Sequence, residues 1–202
     1  MVKTEGESQM VSIDKLYIVH YCHPNCKPFM NICRLSEDEA FLQASKMALE
    51  NPNTEAFYRF ADFKNYYPRR MKQDEYLYKM FMSLGGKPKE KHPLSSVLQG
   101  SEWLDNWFDK GTVYKIKLKD IPSEYISFTL GDSGAVTKKN GVMVNEIQEG
   151  VLTMYTKEML IDAISRYDGT FEEYMREIEE KYTYIEAQLW NDDYCIPYLC
   201  SP

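Results

Sequence analysis

"YTYIEAQLW" (182–190) is the stretch on which the reading of this chain turns. Successive side chains of a strand point to opposite faces, so Ile185, Ala187 and Leu189 share one side of an extended segment. Tyr184, Glu186, Gln188 and Trp190 share the other. Such a strand needs an apolar core on its first side and carries a carboxylate, an amide and two aromatic rings on its second.

The same alternation recurs upstream. In "YISFTL" (125–130), Ile126, Phe128 and Leu130 oppose Tyr125, Ser127 and Thr129. "LYIVHY" (16–21) is β-branched and aromatic, "TVYKIKL" (112–118) alternates, and "KKNGVMV" (138–144) carries the Asn-Gly pair that favours tight hairpins. Between these strands the pattern is helical. Ser36 and Glu39 stand in capping-box spacing ahead of Ala40, Ala44 and Met47, and Asn51-Pro52 ends that helix. Residues 54–66 read as helical up to Pro68, and "QDEYLYKMFMSLGG" (73–86) places Leu77, Met80, Phe81 and Leu84 at helical spacing. "SEWLDNWF" (101–108) is a short helix capped by Ser101. Thr156 opens a helix that Gly169 closes, and Thr170 with Glu173 forms a second capping box. Strands separated by helices, with one hairpin, define an α+β fold: a single domain around a mixed or antiparallel sheet, continuous or split, with helices packed on it.

Length and composition set the frame. The 202 residues are 44% hydrophobic and 27% charged, enough apolar surface for one sizeable core, so residues 1–202 are read as one globular domain with 1–12 as a flexible N-terminal segment. No apolar run approaches a membrane span, and the opening residues lack the apolar region of a secretory signal; a cytoplasmic protein with no membrane partner is expected. Five cysteines are an odd number, which favours thiols or metal ligands over bridges. Cys22-x3-Cys26 and Cys195-x4-Cys200 are spaced permissively for zinc, but reduced cysteines most often pack, as Cys33 beside Ile32 is expected to, and no metal is expected.

The net charge of −7 argues against general attraction to nucleic acid. One segment departs from it: residues 64–92 hold eight Lys and Arg, Arg69 and Arg70 among them, against three acids, interleaved with tyrosines. That segment is a solvated face or a phosphate-holding one. "GDSG" (131–134) reads as a turn, because nothing in the sequence places a histidine beside Ser133. No phosphate-binding glycine loop or dinucleotide fingerprint is present. The polar faces of the two alternating strands therefore carry the chemistry. As neighbours they would bring Ser127, Thr129, Glu186 and Gln188 to one cleft; otherwise they form an ordinary solvated sheet face.

The succession of "VHY" on a first strand, "SFT" on a middle strand and "IEAQLW" on a last strand resembles the ADP-ribosyltransferase superfamily. The resemblance covers three strands and implies NAD as substrate, bound across the sheet. It implies His20 as the first-strand residue holding the nucleotide, Ser127 and Thr129 as hydroxyls supporting the ribose, and Glu186 as the catalytic carboxylate. Many members end the catalytic triplet on glutamate, whereas this chain ends it on Gln188, so the acceptor, protein or nucleic acid, is left open. Tyr184 or Trp190 would stack on the nicotinamide, and Arg69 and Arg70 in the basic segment would hold the pyrophosphate. A glutamate fits such chemistry because cleaving the glycosidic bond develops positive charge on the ribose. The rival expectation is a non-catalytic module that captures a nucleotide or a protein, supported by sixteen tyrosines and three tryptophans.

Overall fold

The computed structural model describes residues 12–134, 136–139, 142–145 and 153–199. All but Ser12 of the N-terminal segment expected to be flexible, together with Cys200, lies outside these residues.

The chain runs β1 (Tyr17–Cys22), α1 (Glu37–Glu50), a 3-10 segment (Glu55–Asp62), α2 (Phe63–Ser83), β2 (Leu94–Leu98), α3 (Glu102–Trp107), β3 (Thr112–Lys117) and β4 (Ile126–Leu130). There follow β5 (Val136–Lys139), β6 (Val142–Asn145), β7 (Met154–Thr156), α4 (Lys157–Ser165), α5 (Phe171–Tyr182), β8 (Ile185–Leu189) and α6 (Ile196–Leu199). Six strands form one sheet in the order β3-β1-β2-β8-β4-β7, with every pairing antiparallel. β5 and β6 pair separately, with Lys139 opposite Val142, and the Asn-Gly pair expected at their turn lies outside the described residues. The fold is α+β with an antiparallel sheet. Among the described residues, no helix is long and apolar enough to cross a membrane.

The oily faces read from the sequence form the main core. Ile126 and Phe128 of β4 and Ile185, Ala187 and Leu189 of β8 pack with Ile18, Leu98 and Ile116, beneath Leu160 and Ile164 of α4 and Ile178 of α5. The other face is covered as well. Leu77 and Phe81 of α2 lie against Met154 and Trp190, with the Phe81 and Trp190 rings stacked at 5.4 Å. Every residue of β8 is buried as a result, so the polar side of "YTYIEAQLW" is roofed by α2 rather than solvated.

The caps behave as expected. Ser36 with Glu39 and Thr170 with Glu173 each close a full capping box, satisfying backbone N–H groups that a helix start leaves without partners. The boundaries near Pro68 differ from expectation. Residues 55–62 are 3-10, and α2 then runs unbroken through Pro68. The proline lies on an exposed turn where water can serve the carbonyl it leaves unbonded, while buried Phe63, Tyr67, Leu77 and Phe81 hold the helix on both sides of it. The last strand is shorter than expected, because α5 continues to Tyr182 and Thr183, at φ 73°, turns the chain into β8. β2 and β7 are strands the sequence reading did not assign.

β1 and β2 pair over only two residues, Ile18 with Leu98 and Val19 with Val97. Past that point the imidazole of His20 bonds the carbonyl of Ser95, with Nδ1 at 3.1 Å, where a backbone ladder would otherwise continue. The sheet parts at this seam, and the cleft described next opens over it.

Candidate functional site

β4 and β8 are neighbours, with Ser127 opposite Gln188 and Thr129 opposite Glu186. Directly opposed residues share a face and interact. The outcome, however, is a closed network rather than an open set of donors. Ser127 Oγ donates to Gln188 Oε1 at 2.9 Å and accepts from Trp190 Nε1 at 2.9 Å. Gln188 Nε2 donates to Thr129 Oγ1 at 3.1 Å, and Thr129 donates to the Gly131 carbonyl at 3.0 Å. All four side chains are fully buried beneath α2. Buried polar groups need partners, and these four supply one another. Ser127, Thr129, Gln188 and Trp190, expected to touch a substrate, are therefore engaged inside the fold. An unoccupied hydroxyl on that face would have cost too much desolvation to leave bare.

One residue further along the same face, Glu186 lies at the edge of the α2 roof. It is 5% exposed and lines the floor of a cleft of about 310 Å³. The walls come from separate elements: Tyr66 and Arg70 from α2, Arg59 and Phe60 from the 3-10 segment, Trp103 from α3, and Tyr184 just ahead of β8. α3 is aimed by a tight reversal after β2 in which Gln99 (φ 60°) and Gly100 (φ 102°) are both left-handed. A side chain at Gly100 would also crowd the Tyr21 hydroxyl, which accepts from Ser101 N at 2.8 Å. Trp103 and Trp107, one turn apart, stack at 4.6 Å. The guanidinium of Arg59 lies 5.7 Å from the Trp107 ring centre and 5.5 Å from that of Tyr58.

The floor is charged and desolvated. Glu186 Oε2 accepts from Ser133 N at 2.6 Å, and Ser133 Oγ accepts from Gln73 Nε2 at 2.9 Å. Burial, helped by the nearby charge of Asp132, pushes the Glu186 carboxyl above its ordinary value despite the opposing pull of Arg70 and the Ser133 amide. Burial works against the Arg70 charge, but Asp74, 3.2 Å away, with Tyr66 and Glu186, more than offsets it and raises its pKa. Burial raises the Tyr184 phenol, and Asp132 and Glu186 raise it further, so it stays a neutral donor. The floor thus offers a carboxyl inclined to hold its proton, a fixed guanidinium and a phenol, between aromatic walls.

Of the residues singled out from sequence, Glu186, Tyr184 and Arg70 share this cleft. His20 borders it but is spoken for. Its Nε2 accepts from Phe29 N at 3.1 Å, Nδ1 faces the Ser95 carbonyl, and the ring stacks on Phe29 at 4.7 Å. These bonds fix the Nδ1–H tautomer, and burial lowers its pKa. Strand parity also puts His20 on the face opposite Glu186, because Val19 pairs with Val97 and Val97 with Glu186. Arg69 is exposed and does not line the cleft, since the helical step of one residue from Arg70 turns it away. Arg59, Trp103 and Asp132 were missed: each sits on a segment whose direction only the packing fixes. The "GDSG" turn was read correctly as a turn, yet it delivers the amide that holds Glu186.

The thiols separate likewise. Burial raises Cys22 to about 11 and Cys195 to about 12, and Cys195 belongs to the main core. Cys26 Sγ lies 3.5 Å from Met47 Sδ. Among the described residues, these three thiols join no cluster of three metal-type donors.

No protein-family model, no curated protein and no solved structure matches this chain.

Proposed function

We propose that the chain captures a nucleotide in the cleft over Glu186, the base lying between the aromatic walls and the phosphate meeting Arg59 at the rim. The observation that carries this reading is the presence of Glu186 and Arg70 together in the lining of one aromatic-walled cleft. The Glu186 carboxyl accepts, and donates as well when it holds its proton, while a guanidinium donates in a fixed plane, so together they suit the mixed donor and acceptor edge of a base. Stacking on aromatic rings is tolerant of base identity and strong enough to hold a single nucleotide. A volume of about 310 Å³ lies at the small end of ligand pockets, which suits one base with its sugar rather than a larger molecule.

Cleavage of NAD is the second reading, favoured by the sharing of one cleft by Glu186, Tyr184 and Arg70. Two features weigh against it. A developing ribosyl cation is stabilised by an ionised carboxylate, and burial drives Glu186 towards the neutral acid. The hydroxyls of Ser127 and Thr129 are already bonded within the fold. A cleft of about 310 Å³ takes one of the two nucleotide units of NAD.

The test is a titration of AMP, GMP, UMP and NAD followed by tryptophan fluorescence, with chromatography of the NAD sample for free nicotinamide. Saturable quenching without product supports capture, and nicotinamide release that Glu186→Gln abolishes would move the conclusion to catalysis. Absence of binding by all four ligands would dismiss both readings.

A further inference from the structure

Beside Arg70, whose guanidinium lies 3.2 Å from Asp74, three donors of different chemistry converge. Cys33 Sγ, an Asp74 oxygen and a His92 ring nitrogen all lie within 4.8 Å of one another. They come from three places in the chain: the 3-10 turn after β1, the middle of α2, and the loop that leads into β2. Asp74 is fully buried, Cys33 is buried, and His92 is mostly so.

Each donor is held by a neighbour. Asn31 fixes two of them, accepting from Cys33 N at 2.9 Å through Oδ1 and donating to Asp74 Oδ2 at 3.1 Å through Nδ2. The same amide donates to the Pro93 carbonyl at 2.8 Å, and Arg34 Nε donates to the His92 carbonyl at 2.8 Å, which pins the His92 loop. His92 Nδ1 lies 3.0 Å from Asp74 Oδ2. Asp74 Oδ1 is buried with no aligned hydrogen bond; its neighbour is the Arg70 guanidinium at 3.2 Å.

We propose that Cys33, Asp74 and His92 form a binding site for one zinc-class divalent cation. Sulfur, nitrogen and carboxylate oxygen together match the donor preferences of zinc rather than of calcium or magnesium. Three protein donors leave a fourth position of a tetrahedral cation for water or a small ligand. Asn31 and Arg34 make the kind of outer contacts that orient metal ligands. Binding exchanges one proton for the cation: the Cys33 S–H bond breaks, a sulfur–metal bond forms, and the proton leaves to solvent. Arg70 offsets one negative charge of the site, so the cation meets Asp74 as a shared partner.

The site uses none of the residues that touch the proposed nucleotide except through Arg70, and its test reads metal alone. The full chain is stripped with chelator, titrated with cobalt(II), and followed by visible absorption, and zinc is measured by elemental analysis after dialysis. One equivalent of metal with tetrahedral cobalt bands and a sulfur-to-cobalt charge-transfer band is expected. Cys33→Ser, close in size, should remove the sulfur band, and His92→Gln should weaken binding roughly tenfold or more. Cys22→Ser should change neither. A wild-type protein that stays folded yet binds no stoichiometric cobalt or zinc overturns the proposal whatever the variants do, and so does a sulfur band that survives in Cys33→Ser.

Discussion

Trp190 Nε1 donates to Ser127 Oγ at 2.9 Å across 63 residues of sequence, and the same hydroxyl donates to Gln188. A tryptophan and a serine that both look like ligand contacts on an alternating strand are thereby joined under α2, and the same network sets the limit of the cleft.

Ser127→Ala leaves the Trp190 indole and the Gln188 carbonyl without their partner in a fully buried place. It should lower stability by about 1–3 kcal/mol. Chemical denaturation checks this, and nucleotide affinity of the folded variant should stay as in the wild type. A loss of affinity without a loss of stability would return Ser127 to the binding surface.

Glu186→Gln should flatten the pH dependence of stability. The Glu186 carboxyl is raised above 4.5 in the folded state, so the folded chain holds this proton more tightly than the unfolded one. Its contribution is fully present below the unfolded pKa and is lost as pH rises through the folded value. Thermal unfolding of both proteins from pH 4 upwards reads the difference, with the variant gaining on the wild type at the alkaline end.

His20 has the opposite sign. Its folded pKa is lowered from 6.5 by burial, so its contribution is present above 6.5 and lost as pH falls through the folded value. His20→Phe should remove that acid-dependent loss while costing about 1–3 kcal/mol at neutral pH, because the Phe29 amide and the Ser95 carbonyl lose their partner. Denaturation at pH 7.5 and at pH 5.5 separates the two effects.

Trp103 is 45% exposed at the cleft rim, so its truncation should affect binding more than folding. Trp103→Ala should weaken nucleotide binding by about 1–3 kcal/mol, the usual worth of one base–aromatic stack, while loss of its stack on Trp107 should lower stability by about 0.5–1.5 kcal/mol. Arg59→Ala should weaken a nucleoside monophosphate more than the matching nucleoside. Calorimetric titration of both ligands provides the comparison, and equal losses would place the phosphate elsewhere.

Much of the fold was legible because it rests on local rules. The capping boxes at Ser36 and Thr170, the pairing of β5 with β6 and the apolar faces of "YISFTL" and "YTYIEAQLW" follow from backbone geometry and side-chain period alone. The site was legible only in part. Glu186, Tyr184 and Arg70 lie together as the strand pattern and basic segment suggested, whereas Arg69 does not line the cleft and His20, at its border, is held by Phe29 and Ser95. Alternation within a strand says which residues share a face. It says nothing of what covers that face.

The sequence by itself determined an α+β chain, which side of each alternating strand is oily, and where most helices begin. The tertiary structure decided the rest: the last strand in the chain lies between β2 and β4, α2 roofs most of its polar side, and a gap beside that roof leaves Glu186 open to a cleft. The reason is physical. Caps and periodicity act within a few residues, whereas the bonds of Ser127 to Gln188, Glu186 to Ser133 and Asp74 to Asn31 span 43 or more residues, and only packing brings such groups within hydrogen-bond distance.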